Sequence, residues 1–218
     1  MAKIAASVLN ADFSKSSKWL PELAKARVDR IQFDIMDGKF VPNTGVDKKF
    51  ISQLRPKTKI FFETHLMVEK PQDYVEEFAS EGMGNGMIIF HTEASKKPLE
   101  LISKIHALGL RAGIAINNNT PAQKIFPFLG EVELALVMGV DAGFGGQKFG
   151  PAALEKISAL RKKIDTESFS CEIEVDGGIN AQTAGQCVKA GADVLVAGTF
   201  IFRHPKGIAA AVSEMRRQ

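Results

Sequence analysis

Eight apolar runs recur along this chain, and most are apolar at consecutive positions, as in Ile88-Ile89-Phe90 and Leu134-Ala135-Leu136-Val137-Met138. Side chains of a strand point alternately to its two faces, so a run of this kind is buried on both. That is the mark of parallel strands covered by helices. The runs cover 3–9, 30–37, 59–67, 86–94, 111–117, 134–141, 171–176 and 194–201. Helix-like stretches fill the gaps at 14–26, 48–54, 72–81, 98–107, 121–128, 151–163, 181–190 and 205–216. Thr120-Pro121 reads as a cap before a proline at the first helical position, Asn180 as another cap, and Gly109 and Gly191 as C-terminal stops. Eight such units fit an α/β fold of one domain over 1–218, a (β/α)8 TIM barrel, with an open doubly-wound sheet as the competitor.

Composition narrows the function. The chain has 218 residues, 45% of them hydrophobic, and a net charge of only +3. Lys and Arg are spread over the helical stretches rather than stacked in blocks, so the sequence offers no nucleic-acid or membrane-surface partner. The apolar run near the N-terminus is short and broken by Asn10 and Asp12, which is not a signal-peptide pattern. No run approaches the ~20 residues of a membrane span. Cys171 and Cys187 read as reduced thiols of a cytoplasmic protein.

Polar residues gather where the strands run out. Ser7, Asp34, His65, Asp141, Asp176 and Thr199 all stand at or near predicted C-terminal strand ends. Active sites of a barrel form at that face. An isolated buried carboxylate is costly, so Asp34 and Asp176 are either structural caps or metal ligands. With His65 they make a donor set suited to zinc and related ions. Met36, Met67 and Met138 lie beside them, as core filling or as a roof that keeps water from an anionic intermediate. The 143–147 stretch, with Gly143, Gly145 and Gly146, is a surface loop or a lid. Gly177, Gly178, Gly198 and Thr199 offer unobstructed amides after strands seven and eight, the usual phosphate seat of a barrel. His91 reads as a pocket-rim or structural residue, His106 and His204 as structural or surface, and Trp19 as helix packing.

These residues resemble the ribulose-phosphate 3-epimerase family. The pieces are Ser7-Val8-Leu9-Asn10-Ala11-Asp12-Phe13, Asp34-Ile35-Met36-Asp37-Gly38-Lys39-Phe40-Val41-Pro42-Asn43, His65-Leu66-Met67, 143–147, Glu174-Val175-Asp176-Gly177-Gly178 and 191–202. The resemblance implies a barrel that interconverts D-ribulose 5-phosphate and D-xylulose 5-phosphate in the pentose phosphate pathway. It implies a divalent ion on the C2 ketone and C3 hydroxyl oxygens, held by Asp34, His65 and Asp176. The two aspartates would exchange the C3 proton on opposite faces, Ser7 and His65 would contact substrate, and the glycine turns would grip phosphate. Gln32 stands where the family carries a metal-binding His, so the ion (Zn, Mn, Fe or Mg) meets an amide oxygen there, a weaker donor than imidazole for Zn. A cytoplasmic homo-oligomer acting on a small sugar phosphate completes the expectation. The rivals are a D-allulose 6-phosphate 3-epimerase and a weakly active sugar-phosphate binder. A decarboxylase is disfavoured, because Glu63-Thr64-His65 lacks the lysine of an Asp-x-Lys-x-x-Asp strand.

Overall fold

In a computed structural model, which describes residues 1–80 and 83–218, the eight runs form parallel strands that pair in sequence order and close on themselves, β8 against β1. They are β1 Lys3–Ser7, β2 Arg30–Met36, β3 Phe61–Met67, β4 Met87–His91, β5 Arg111–Ile116, β6 Leu134–Met138, β7 Glu172–Asp176 and β8 Val194–Ala197. The fold is a (β/α)8 barrel, and the open sheet is excluded by the β1–β8 ladder. The strands are shorter than the apolar runs because several runs continue into the loops that carry the site. The last run even changes structure: Thr199–Phe202 is a short helix rather than strand.

The outer ring holds α1 Ser16–Lys25, α2 Lys49–Leu54, α3 Val75–Ser80, α4 Pro98–Ala107, α5 Ala152–Glu167, α6 Ala181–Ala190, α7 Thr199–Phe202 and α8 Ile208–Arg216. Asn180 caps α6 as expected, in a reciprocal capping box with Thr183, and Gly191 ends that helix at φ 111°. Trp19 is buried on α1. Three helical expectations need correction. The 121–128 stretch forms two single 3-10 turns, Ala122–Lys124 and Phe126–Phe128. Pro127 lacks the N–H that would carry a longer helix through that point. Thr120 caps nothing there; its hydroxyl donates to Glu93 instead. The 72–81 stretch begins as a 3-10 turn at Pro71–Asp73, and its last residue lies outside the described ones. Helix α8 starts at Ile208 rather than 205, after Gly207 at φ 82°.

Alternation along each strand divides the core in two. Ile31, Phe33, Phe62 and Leu66 face the helices within the large outer core. Ala5, Met36, Met67, Ile89, Leu136, Met138 and Val196 pack inside the barrel. The inward column of β2 therefore reads Arg30, Gln32, Asp34, Met36 from the N-terminal end to the C-terminal end. Beside it β3 offers Glu63, His65 and Met67, in register with Gln32, Asp34 and Met36.

Candidate active site

Asp34 is the hub of the C-terminal mouth. The Ser7 hydroxyl at the end of β1 donates to Asp34 Oδ2 at 2.7 Å. The Gln32 amide donates from Nε2 to Asp34 Oδ1 at 3.0 Å and to Asp176 Oδ2 at 2.8 Å, so one NH2 group bridges both carboxylates. His65 Nδ1 stands 3.0 Å from Asp34 Oδ1 and 3.8 Å from Asp176 Oδ2. Its other nitrogen, Nε2, is 2.9 Å from His91 Nε2, and His91 Nδ1 is 3.3 Å from Glu93 Oε2.

Burial governs the protonation of this cluster. It raises the Asp34 carboxyl to about 6, against the pull of the hydrogen bonds from Ser7 and Gln32. Burial, and then the adjacent Asp34 charge, raise Asp176 to about 7. Burial lowers His65 to about 4, so its ring is neutral at pH 7. Both carboxyls are thereby raised into the range where a proton can be held or released near neutrality, which suits an acid and base pair.

Above the cluster opens a cavity of about 260 Å³. Ser7, Asp34 and Asp176 form its floor, and Met36, Met67 and Met138 line its wall. Gly143, Gly145, Gly146, Gly177, Gly178, Gly198 and Thr199 complete the lining. The N–H groups of Gly178 and Gly198 have no hydrogen-bond acceptor among the described residues. The 143–147 loop is anchored rather than loose: Asn43 Nδ2 donates to the Gly143 carbonyl at 2.9 Å, and Gln147 Nε2 donates to the carbonyls of Asp141 and Phe144. Gln32 and His65 are fully buried beneath the cavity floor.

Residues 3–202 match the Ribulose-phosphate 3 epimerase family. The chain belongs to that family. The cytoplasmic isoform of ribulose-phosphate 3-epimerase from Oryza sativa subsp. japonica is 43% identical over 205 residues, covering 92% of this chain and 87% of that protein. The ribulose-phosphate 3-epimerase of Schizosaccharomyces pombe is 38% identical over 218 residues, covering 99% and 92% respectively. Among solved structures, a 3-hexulose-6-phosphate synthase aligns with a TM-score of 0.70 at 16% identity, covering 100% of this chain and 99% of that one. That last likeness is one of fold alone. As a member of the ribulose-phosphate 3-epimerase family, this chain is an epimerase of the isomerase class.

In this epimerase the donors of Asp34, His65 and Asp176 lie within 4.8 Å of one another, a group able to hold a metal ion. Two carboxylate oxygens and one neutral imidazole nitrogen suit zinc and other first-row divalent ions. Gln32 fits such an ion less directly. Its NH2, not its oxygen, faces the carboxylates, and Oε1 is buried without a donor. Gln32 thus occupies the carboxylate oxygens that an ion would use. Asp141, grouped with the strand-end residues by sequence, is exposed, accepts from Asn118 and stands outside the cavity. His91 lies not at the rim but fully buried against His65, in keeping with the structural reading. Sequence reasoning also missed Glu93, whose signal was the His-x-Glu spacing directly after β4. His106 and His204 pair with Glu133 and Glu214, away from the site. Cys171 and Cys187 are buried and free.

Proposed function

We propose that this epimerase inverts C3 of a ketose phosphate, D-ribulose 5-phosphate to D-xylulose 5-phosphate, by proton transfer through Asp34 and Asp176. The observation that carries this reading is the pair itself: two buried carboxyls from β2 and β7, tied by one amide, at the floor of a cavity walled by three methionines. The C3 proton lies alpha to a ketone and is weakly acidic. One carboxylate removes it while the other, protonated, delivers a proton to the opposite face. Without an ion, burial raises both carboxyls to about 6 and about 7, into the range where each can take up or release a proton near neutrality. Asp34, His65 and Asp176 would hold a divalent ion, which when bound would supply Lewis-acid polarisation of the substrate's oxygens. Ser7 orients Asp34, and the methionines exclude water from the reacting carbon. Among the described residues no helix is long and apolar enough to cross a membrane. The relation to a rice protein named as a cytoplasmic isoform supports a cytoplasmic location, and we propose a one-domain homo-oligomer. The test is turnover of ribulose 5-phosphate and allulose 6-phosphate with Zn, Mn, Mg or chelator added. Bound substrate without turnover under any metal would leave only a sugar-phosphate binder.

The phosphate is proposed to lie against the amides of Gly178, Gly198 and Thr199, with Gly145 or Gly146 closing from the loop. Substitution at Gly178 would not test this, because a Cβ there would stand 2.4 Å from the Phe149 backbone nitrogen. Gly198 is the better probe: its Cβ would meet the Ser7 carbonyl at 3.1 Å and its φ is −106°. Gly198→Val should raise KM for the phosphorylated substrate by about tenfold or more, the scale of about 1.4 kcal/mol of lost contact. An unchanged KM places the phosphate elsewhere.

Gln32 is proposed to weaken the ion site. For its oxygen to ligate, the amide must turn and give up both bonds to the carboxylates. Gln32→His should raise zinc affinity by roughly tenfold or more, within the range seen when a site's support is altered. In wild type, affinity should fall as pH drops through about 7 and 6, because the ion must displace protons from Asp176 and Asp34. Zinc retained after dialysis against chelator, at pH 5.5 and 7.5, measures both. Stoichiometric retention by wild type at both values, with Gln32 directly ligated, would sink this account.

A further inference from the structure

Asp34 and Glu93 are joined by two imidazoles. The sequence of contacts is Asp34 Oδ1, His65 Nδ1 at 3.0 Å, then His65 Nε2 to His91 Nε2 at 2.9 Å, then His91 Nδ1 to Glu93 Oε2 at 3.3 Å. Both rings are fully buried. The ring planes lie 22° from parallel with centroids 5.0 Å apart, and Phe40 packs on His91 at 4.9 Å, so neither ring is free to turn.

A neutral imidazole carries one N–H and one lone pair. Two neutral rings in series therefore form a wire with a single polarity: if one end donates, the other end presents a lone pair. Here both ends face a carboxylate. Only one end can be satisfied by an N–H, and the other needs a proton or a cation. Glu93 decides which. Its Oε1 already accepts from the Asn117 N–H at 2.8 Å and from the Thr120 hydroxyl, which holds it as a carboxylate. Its Oε2 is left for His91 Nδ1–H. His91 Nε2 then accepts from His65 Nε2–H, and the lone pair of His65 Nδ1 points at Asp34 and Asp176.

We infer that Glu93, acting through His91, fixes His65 in its Nε2–H form and so aims the Nδ1 lone pair into the space between the two aspartates. His91 and Glu93 are positioning residues, and the inference rests on the reading of His65 as an ion ligand. Their role also accounts for a contact that is otherwise unfavourable, a nitrogen lone pair 3.0 Å from a carboxylate oxygen: that gap is where a cation or a proton belongs.

The test uses the full chain, nitrogen-15 labelled at histidine, without metal and with zinc. Long-range proton–nitrogen spectra report which ring nitrogen of His65 carries the proton. Wild type should show Nε2–H in both states. Glu93→Gln is the informative variant. Its side-chain oxygen takes over the donors from Asn117 and Thr120, and its NH2 now faces His91 Nδ1. The polarity of the wire reverses, and His65 becomes the Nδ1–H form that donates to Asp34. Zinc affinity, measured by competition with a chromophoric chelator, should drop about 10–100-fold. His91→Leu, which removes the wire, should give a mixed tautomer and a similar loss; Glu93→Gln is nearly isosteric and keeps the test available should His91→Leu not fold. Wild-type His65 protonated on Nδ1, or Glu93→Gln with zinc affinity within about twofold of wild type, overturns the inference. Wild-type protein with His65 as Nε2–H that takes up no zinc supports the wire while removing the ion from the proposed function.

Discussion

Replacing Asp34 or Asp176 by Asn should each cost at least about 10³-fold in turnover while leaving the barrel folded. General acid–base transfer contributes about 10²–10⁴-fold per group, and inversion needs a working group on each face, so neither aspartate can cover for the other. The expected stability is informative too. Both carboxyls are raised by burial, which means the fold favours their neutral forms. A group raised in this way contributes stability below its unfolded pKa and loses it as pH climbs through the folded one. In metal-free protein that loss falls between about pH 4 and about 7. Asn is neutral throughout and keeps acceptors for Ser7 and Gln32, so each variant should melt at or above the wild-type temperature at pH 8. Turnover within about tenfold of wild type by either variant would remove the two-aspartate scheme. Lost activity together with a lower melting temperature would mean that the carboxylates hold structure instead.

Arg30→Met should be the most damaging single change to stability, about 3–5 kcal/mol at pH 8. Arg30 is buried at the N-terminal end of the barrel with Glu63 at 3.1 Å, Glu174 at 3.4 Å and Glu172 closer still. Burial alone would lower its guanidinium, but the three glutamates hold it up. Glu63 and Glu174 each keep one oxygen, Oε1, without a donor. Burial raises both carboxyls, and a proton on the pair supplies that missing donor. Without Arg30, both must be protonated to fold. Their folded pKa values then rise further above the ordinary 4.5, so the variant loses stability as pH rises and recovers it toward pH 5. Denaturant melts at pH 5 and pH 8 measure this. A loss below about 1 kcal/mol at both values would mean that the cluster is wet and screened. Glu63→Gln with Glu174→Gln should restore part of the loss.

Strands β2 and β7 carry both predictions, at opposite ends. On β2, Arg30 and Asp34 are both inward and four residues apart; on β7, Glu174 and Asp176 are two apart. Gln32 separates the ion-paired layer from that of Asp34 and Asp176, its NH2 committed upward to the two aspartates. It is the floor of one site and the ceiling of the other.

The strands were legible in the amino-acid sequence, because two-sided apolar runs have few other stable placements. The sequence also singled out Asp34, His65 and Asp176, whose donor atoms the barrel brings within 4.8 Å of one another, because a charge at the end of such a run must find a partner or a reaction. The glycines and methionines around the cavity were legible for the same local reason. Helix ends were legible where a cap is local, as at Asn180, and failed at 121–128, where Pro127 and the Thr120–Glu93 bond outweigh the pattern. The wiring came from the fold. Gln32 meets Asp176 across 144 residues of chain, Arg30 meets Glu174 across 144, and His65 meets His91 across 26. Those meetings depend on the closure of β8 on β1 and on the stagger of neighbouring strands, which no local pattern encodes. Whether Gln32 shows its oxygen or its NH2 to the carboxylates, and which nitrogen of His65 is bare, follow from hydrogen-bond partners that converge only once the barrel is shut.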